Sequence, residues 1–159
     1  MKYRLTFVAL VFQILIGAAC DQATPIPGNG NEIYIDEKTD TMTDTLLIKV
    51  GGRDFKAILV DNPTTSAFKA MLPLTIDMKD LNSNEKFFDL RSNLPVNASN
   101  PGTINSGDIM LWGSNTLVLF YKTFSTTYSY TRIGRIENPT GLSAALGTGN
   151  VRVVFTLQN

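Results

Sequence analysis

The chain has 159 residues with 14 basic and 14 acidic side chains, a single cysteine and no histidine. Without histidine or a cysteine pair, the usual zinc, copper and haem ligand sets and histidine-dependent catalytic triads are excluded. The balanced charge argues against a nucleic-acid partner, because phosphates require a basic face. We therefore expect no metal, no cofactor and no nucleic acid; an oxygen-only calcium site remains open, but no loop resembling an EF-hand is present.

The amino terminus has the layout of a bacterial secretory signal. Lys2 and Arg4 supply a positive start, residues 5–16 are almost entirely apolar, and small residues follow. The apolar run is too short for a membrane-spanning helix, which needs about 20 apolar residues. Removal of this leader would leave 12 basic against 14 acidic residues, a slightly acidic mature protein.

The single cysteine, Cys20, stands directly after the leader. This placement resembles the lipobox of bacterial lipoproteins, in which the thiol is acylated before the leader is cut, although Gly17 stands where lipoboxes usually carry leucine. We predict a lipoprotein signal peptide over residues 1–19 and lipidation at Cys20. Two or more acyl chains would anchor the protein to a membrane of the cell envelope, at the outer membrane or periplasmic face rather than in the cytoplasm. A plainly secreted protein is the alternative.

The next segment, 20–43, is rich in Thr, Asn, Asp, Pro and Gly, and it predicts a flexible tether. A flexible segment of this length spans about 25 Å on average, which would hold a domain clear of lipid headgroups. Its one apolar patch, 33–35, would in the alternative interpretation add an edge strand to the domain that follows.

The remainder, 44–159, predicts one mainly β domain. Gly51 and Gly52 separate two β-rich runs and predict a two-residue hairpin turn, and residues 113–115 predict a second one. The alternation of the seventh run shifts phase near Gly134, which predicts a bulge or sharp bend. The predicted strands are 45–50, 54–60, 74–78, 86–90, 109–112, 116–121, 128–136 and 151–157.

Two short helices are predicted between the strands. Asn62 can cap the first, with Pro63 at its first position, and Pro73 stops it. The pair at 138–139 repeats this start signal, and Gly147 marks the end of the second helix. Short helices among many short strands favour a closed barrel with capped ends, since closure removes exposed strand edges.

Six motifs occur in order along this domain. Together they resemble the bacterial cyclophilin-like proteins, over about residues 46–155. The resemblance implies a closed eight-stranded β-barrel with two short capping α-helices, in agreement with the pattern of strands and helices. The motifs are LVDNPT (59–64), MLPL (71–74), NEKFFDL (84–90), GDIMLW (107–112), LVLFY (117–121) and YTRIGRI (130–136).

The resemblance does not by itself imply an enzyme. Cyclophilins proper are prolyl isomerases that use an arginine above an apolar proline pocket, with a histidine and a glutamine at its wall. This chain has no histidine, and the arginine-to-phenylalanine segment of cyclophilins is not recognisable. We predict a non-catalytic module that binds a peptide or small ligand, with its oligomeric state open. The alternatives are a degenerate isomerase that uses Arg132 or Arg91, and a scaffold of an envelope complex.

Strand alternation selects the candidate binding residues. It sends Glu85 and Phe87 to one face, while Phe120 lies near the end of a strongly apolar strand. Tyr128, Tyr130 and Arg132 share a face of the next strand. An acid, an arginine and several aromatic rings are the components of a concave site with apolar walls and a few polar anchors. We predict that ligand is bound by five of these residues, none of them catalytic: Glu85, Phe87, Phe120, Tyr130 and Arg132.

A structural interpretation competes with this one. Phe87, Phe120 and Trp112 would then belong to the core, and Glu85 would pair with Arg132 across the barrel rim.

Overall fold

The computed structural model describes residues 45–158, which form ten strands and two helices. The predicted signal peptide, Cys20 and the tether 20–43 lie outside the described residues. The elements are β1 (Thr45–Val50), β2 (Arg53–Leu59), α1 (Pro63–Lys69), β3 (Leu74–Leu81), β4 (Glu85–Asp89), β5 (Thr103–Ile104), β6 (Asp108–Trp112), β7 (Thr116–Phe120), β8 (Phe124–Ser125), β9 (Thr131–Ile136), α2 (Leu142–Leu146) and β10 (Val151–Gln158).

Eight strands close into an antiparallel barrel in the order β1-β10-β3-β4-β7-β6-β9-β2, and β1 pairs with both β10 and β2. The predicted closed eight-stranded barrel with two helices is therefore confirmed. The remaining strands, β5 and β8, pair only with each other in the described part of the chain and form a small separate ribbon. Neither of these two strands is among the strands predicted from the sequence.

The barrel has its core in the interior, where alternate residues of all eight strands meet. Phe68 of α1 packs edge-on against Phe155 of β10, with ring centroids 6.0 Å apart. Leu142 and Leu146 of α2 join the same core. Each fully buried side chain of this kind contributes about 1.5–3 kcal/mol through removal of apolar surface from water, so the interior is the main source of stability.

A second, smaller core lies on the outside of the barrel wall. Along β7, Leu117 and Leu119 face the interior, whereas Val118 and Phe120 belong to the outer cluster. The ribbon supplies Ile104 and Phe124 to this cluster and covers it. A strand buried on both faces must be apolar at every position, which explains the unbroken apolar run of β7.

The helix-start signals had different outcomes. Asn62 caps α1 as predicted, since its side chain accepts a hydrogen bond of 2.8 Å from the Thr65 amide. At the second signal the Asn138 side chain accepts from the Thr140 amide instead and makes a local turn. Helix α2 therefore begins only at Leu142, after Gly141 in the left-handed region at φ 81°.

Strand β9 begins later than the predicted start at residue 128, and it takes part in the predicted bulge. The strand begins at Thr131, because residues 128–130 belong to a loop that runs over the outer core. The register between β6 and β9 shifts between Ile109 and Met110, opposite Gly134. A Cβ at Gly134 would lie 2.6 Å from the carbonyl oxygen of Ile58, so this bend requires glycine.

Candidate functional site

A cleft of about 670 Å³ opens on the outer face of the barrel wall, between that wall and the segment around β8. Its floor comes from strands β4, β7 and β6, and the β3–β4 turn closes one end. Its lining residues are Leu81, Asn82, Asn84, Glu85, Phe87, Asp89, Trp112, Thr116, Val118, Phe124, Ser125, Thr126, Thr127, Tyr128 and Tyr130.

Antiparallel pairing of β7 with β4 and with β6 determines which residues lie side by side on the floor of the cleft. Phe87 lies opposite Val118, and Asp89 lies opposite Thr116, which in turn lies opposite Trp112. The pleat sends every second residue of β4 outward, so an acid, an aromatic ring and a second acid follow one another along one face. The intervening Lys86 points the other way and is fully buried.

The opposite wall is positioned by two aromatic contacts with Phe120. The ring of Phe124 lies 5.8 Å from it, and the ring of Tyr130 meets it edge-on at 5.5 Å. Backbone hydrogen bonds of 2.9 Å from Thr126 to Gly102 and of 3.0 Å between Tyr130 and Ser99 tie this wall to the neighbouring loop. The wall is thus held by packing and by main-chain bonds, and it is not a free loop.

The structure brings together three of the five predicted binding residues. Glu85, Phe87 and Tyr130 line the cleft. Phe120 is fully buried beneath it, so it supports the wall without lining the space. Arg132 is exposed outside the cleft, and within residues 45–158 it forms no ion pair with Glu85. The arginine and the glutamate therefore do not form one site here.

Three exposed apolar residues of the cleft were not among the five predicted binding residues, although Tyr128 had been placed on the same face as Tyr130. Trp112 is 50% exposed, Tyr128 is 66% exposed and Leu81 is 42% exposed. The assignment of Trp112 to the core is wrong, because it stands at the end of β6, beyond the part of the outer face that the ribbon covers. Trp112 and Met110 are two residues apart on β6, so their side chains point to the same outer face of the barrel. This alternation was the sequence signal that could have placed Trp112 outside the interior.

Two carboxylates give the cleft its charge. Burial raises the pKa of Glu85, whose side chain has no hydrogen bond or ion pair among the described residues. Asp89 accepts a hydrogen bond of 2.7 Å from the Thr116 hydroxyl. Burial, and then the nearby Glu85, raise the pKa of Tyr130. The lining contains no lysine or arginine among residues 45–158.

A second, smaller cavity of about 270 Å³ lies beside a buried lysine and has a structural explanation. The Lys86 ammonium donates to the Asp80 carboxylate and to the carbonyl oxygens of Gly147 at 2.9 Å and Gly149 at 2.7 Å. The Tyr121 hydroxyl donates to Asp80 at 2.8 Å. All three ammonium donors are occupied, so this cluster fastens β4 to the α2–β10 connection.

Ionisation of this cluster follows from the same bonds. The hydrogen bond from Lys86, followed by that from Tyr121, lowers the pKa of Asp80. Burial and the Asp80 carboxylate raise the pKa of Tyr121 to about 12. At neutral pH the carboxylate is therefore charged and the phenol neutral.

Residues 45–158 contain no group of three or more Asp, Glu, His or Cys side chains placed to hold a metal ion. Within those residues no helix is long and apolar enough to cross a membrane.

The fold and the cleft together define a small closed antiparallel β-barrel with a ligand-sized cleft on its outer wall. The profile of the Cyclophilin-like family matches residues 48–156, so the chain belongs to this family. The solution structure of a hypothetical protein from Archaeoglobus fulgidus is similar, with a TM-score of 0.56 and 18% sequence identity over 73% of this chain and 96% of that chain. At this identity the likeness shows the fold alone. None of the curated proteins matches the chain significantly.

Proposed function

We propose that this protein is a non-catalytic binding module that holds a peptide or small ligand in the outer cleft. The observation that carries the proposal is the distribution of exposed apolar side chains. Seven large apolar residues are exposed between residues 45 and 158, and three of them, Leu81, Trp112 and Tyr128, line this one cleft. Apolar surface concentrated in a concavity marks a binding site more specifically than single exposed residues do.

The size of the cleft supports a ligand of modest size. Its volume of about 670 Å³ lies within the range of about 300–1,000 Å³ that is typical of small-molecule sites. The hydroxyls of Thr116, Ser125 and Thr127 add polar groups to walls that are otherwise aromatic and aliphatic. Such a mixture gives affinity through apolar burial and orientation through a few hydrogen bonds.

The arrangement of arginines favours binding over isomerase chemistry. A cyclophilin-type isomerase would require an arginine beside the bound proline. Neither Arg132 nor Arg91 lines the cleft. The cleft therefore has no guanidinium, among its described lining, that could donate to a prolyl nitrogen.

We further propose that the domain works at the surface of a cell-envelope membrane, anchored through a lipid on Cys20. The proposal is supported by the charged start, the apolar run and the single cysteine that follows it. The polar segment 20–43 would act as the tether. The membrane is then the first partner, and the ligand of the cleft the second.

Trp112 makes the binding proposal directly testable. It is the chain's single tryptophan and lines the cleft, so its fluorescence reports on this site alone. We expect ligands from a peptide and fragment library to change this fluorescence and to shift backbone resonances of residues 85–89 and 124–130. Leu81→Ala should weaken each ligand by about tenfold, since it removes apolar contact area.

Ile58→Ala is the matched control, because Ile58 is exposed to a similar degree, 46%, but does not line the cleft. Binding that is unaffected by Leu81→Ala, or resonance shifts confined to other surfaces, would overturn the proposal. A proline-peptide turnover assay should show no catalysis. Turnover that Arg132→Ala abolishes would establish the isomerase instead.

A further inference from the structure

We infer that the cleft selects an extended peptide segment that presents a lysine or arginine side chain to Glu85 and the surrounding aromatic rings. This inference rests on the proposed binding function and specifies the ligand of the same cleft. Charge, desolvation, aromatic geometry and strand edges each support it.

The formal charges that line the cleft are all of one sign. Glu85 and Asp89 stand on the outer face of β4 with the ring of Phe87 between them. Four residues of extended strand separate their Cα atoms by about 13 Å. A cationic ligand is attracted along the whole of this row, whereas a carboxylate or phosphate is repelled.

Glu85 has charge without compensation. Its side chain is partly buried and makes no hydrogen bond or ion pair within residues 45–158. A carboxylate removed from water without a partner is unfavourable, and burial raises its pKa accordingly. A ligand ammonium or guanidinium would supply the missing partner and gain a charge-assisted hydrogen bond.

Aromatic rings in the cleft are placed to receive a cation. Trp112 is 50% exposed and Tyr128 is 66% exposed, and cations are attracted to the faces of such rings within about 6 Å of the centroid. The described residues already contain three such contacts, and in one of them the Lys79 ammonium lies 6.0 Å from the centroid of the Phe87 ring. Lys79 is not a lining residue, but its ammonium borders the cleft at the Phe87 ring. Among the described residues no cation lies over the rings of Trp112 or Tyr128.

The lining of the cleft also contains a hydrogen-bond acceptor without a partner. The buried Oδ1 of Asn84, which lies next to Glu85 in the cleft lining, has no hydrogen-bond partner among the described residues. Lysine and arginine side chains carry only donors, so they are the side chains that suit this one unpartnered acceptor.

A peptide is favoured over a free amine by the ribbon beside the cleft. Strand β8 pairs with β5 only, so within the described residues its second edge has no strand partner. An extended peptide can pair with such an edge through its main chain, while its side chains enter the neighbouring cleft. A small amine would use the charged end of the cleft and leave this edge unused.

The test uses three acetylated, amidated peptides of sequence Gly-Leu-Xaa-Leu-Gly, in which the central residue is lysine, norleucine or glutamate. Binding is followed by Trp112 fluorescence and by chemical-shift mapping on the full chain. We expect the lysine peptide to bind about tenfold more tightly than the norleucine peptide, and the glutamate peptide to bind most weakly. Glu85→Gln should reduce the preference for lysine over norleucine to about twofold or less. Glu137→Gln, an exposed acid outside the cleft, should leave it unchanged.

The outcomes separate the two proposals. If the norleucine peptide binds in the cleft as tightly as the lysine peptide, the inference fails while the binding function stands. If no peptide or fragment perturbs Trp112 or the cleft resonances, the binding function itself fails. If n-butylammonium binds as tightly as the lysine peptide, the site takes free amines and the peptide assignment is overturned. Asp89→Asn gives an independent check, since it should also lower the lysine preference.

Discussion

At the scale of single residues, Lys86 is an ammonium inside a barrel whose other interior side chains are mainly apolar. Replacing it by methionine would leave the Asp80 carboxylate and the carbonyls of Gly147 and Gly149 without their shared donor. Lys86 is fully buried whereas Asp80 is 20% exposed, so the main loss is that of a buried donor shared by three acceptors. Unsatisfied acceptors cost about 1–3 kcal/mol each, and we expect Lys86→Met to lower the free energy of unfolding by about 3 kcal/mol. Chemical denaturation of the variant and wild type measures this change.

Lys56→Met serves as the control for the lysine substitution, because Lys56 is exposed on β2. We expect it to change stability by about 0.5 kcal/mol or less. Similar losses in the two variants would show that the buried hydrogen-bond network is not the source of the effect.

Glu85 gives the protein a pH dependence of opposite sign to that of an ordinary paired acid. Its pKa is raised by burial, so the folded state holds this proton more tightly than the unfolded state does. Between its ordinary pKa of 4.5 and the raised folded value, stability should therefore fall as pH rises. Asp80, whose pKa is lowered, acts in the other direction and loses its stabilisation as pH falls.

Comparison with Glu85→Gln isolates this contribution, because the variant keeps Asp80. We expect the variant to gain stability relative to wild type as pH rises through the raised pKa, with no further gain above it. Denaturation curves from pH 4 to pH 8 and NMR titration of the Glu85 carboxyl group measure the effect. A difference that is independent of pH would contradict it.

Strand alternation could place Glu85 and Phe87 on one face from sequence because their spacing is two residues. It could not tell that Phe120 is covered, since this depends on rings of Phe124 and Tyr130 supplied from outside the barrel. Arg132 does not share the cleft with Glu85 for a related reason. The bulge and the start of β9 at Thr131 determine which part of that strand borders the cleft.

At the scale of elements, the β1–β2 hairpin meets α2 through a glycine. A Cβ at Gly51 would collide with the carbonyl group of Ala145, whereas a Cβ at Gly52 would meet nothing within 4 Å. Both glycines have positive φ, 57° and 72°. We expect Gly52→Ala to cost about 1 kcal/mol from backbone strain and Gly51→Ala about 3 kcal/mol, because α2 must also move. Thermal unfolding of the two variants tests this order, which equal shifts would refute.

The β5–β8 ribbon is held to the barrel by the outer core. Ile104 is fully buried there, so Ile104→Ala should remove about 3 kcal/mol of packing energy from the ribbon. We expect faster hydrogen exchange at the amides of Thr126 and Tyr130, with the barrel strands still protected. Ligand binding at the cleft should weaken in parallel, because the ribbon forms one wall.

Val96→Ala is the control for this experiment, since Val96 is 51% exposed and lies outside the outer cluster. It should leave exchange at both amides unchanged. Uniform acceleration across the barrel in Ile104→Ala would show that the ribbon and barrel open as one unit.

Long strands and two-residue strands differed in how well the sequence predicted them. Long strands have enough residues to show alternation, and six of the eight were bounded to within one residue. The exceptions are β3, which continues to Leu81 instead of ending at 78, and β9, which begins at Thr131 instead of 128. Strands β5 and β8 have two residues each, too few to carry any period.

The Asn-Pro signal was ambiguous because an asparagine can cap a helix, as at Asn62, or form a local turn, as at Asn138.

For the whole molecule, the closed barrel was predictable because eight strand patterns and two helix signals leave few other ways to satisfy every strand edge. The cleft was less predictable than the barrel. It arises where residues 124–130 pass over strands β4, β7 and β6, and no local pattern records which chain segment crosses which face. The unbroken apolar run of β7 was the one sequence feature that pointed to burial on both sides.

At the same scale, the proposed lipid anchor would decide where in the cell the cleft can act. A lipid on Cys20 would confine the binding module to a membrane surface, because two or more acyl chains bind stably whereas a polar domain alone does not. In bacterial cells we expect the wild-type chain to incorporate an alkyne-tagged fatty acid and to fractionate with membranes. Cys20→Ala should abolish labelling and shift the protein to the soluble fraction, while Trp112 fluorescence and ligand binding stay unchanged. Membrane association that survives this substitution, or an unacylated amino terminus in mass spectra of the native protein, would refute the anchor and leave the cleft proposal standing on its own evidence.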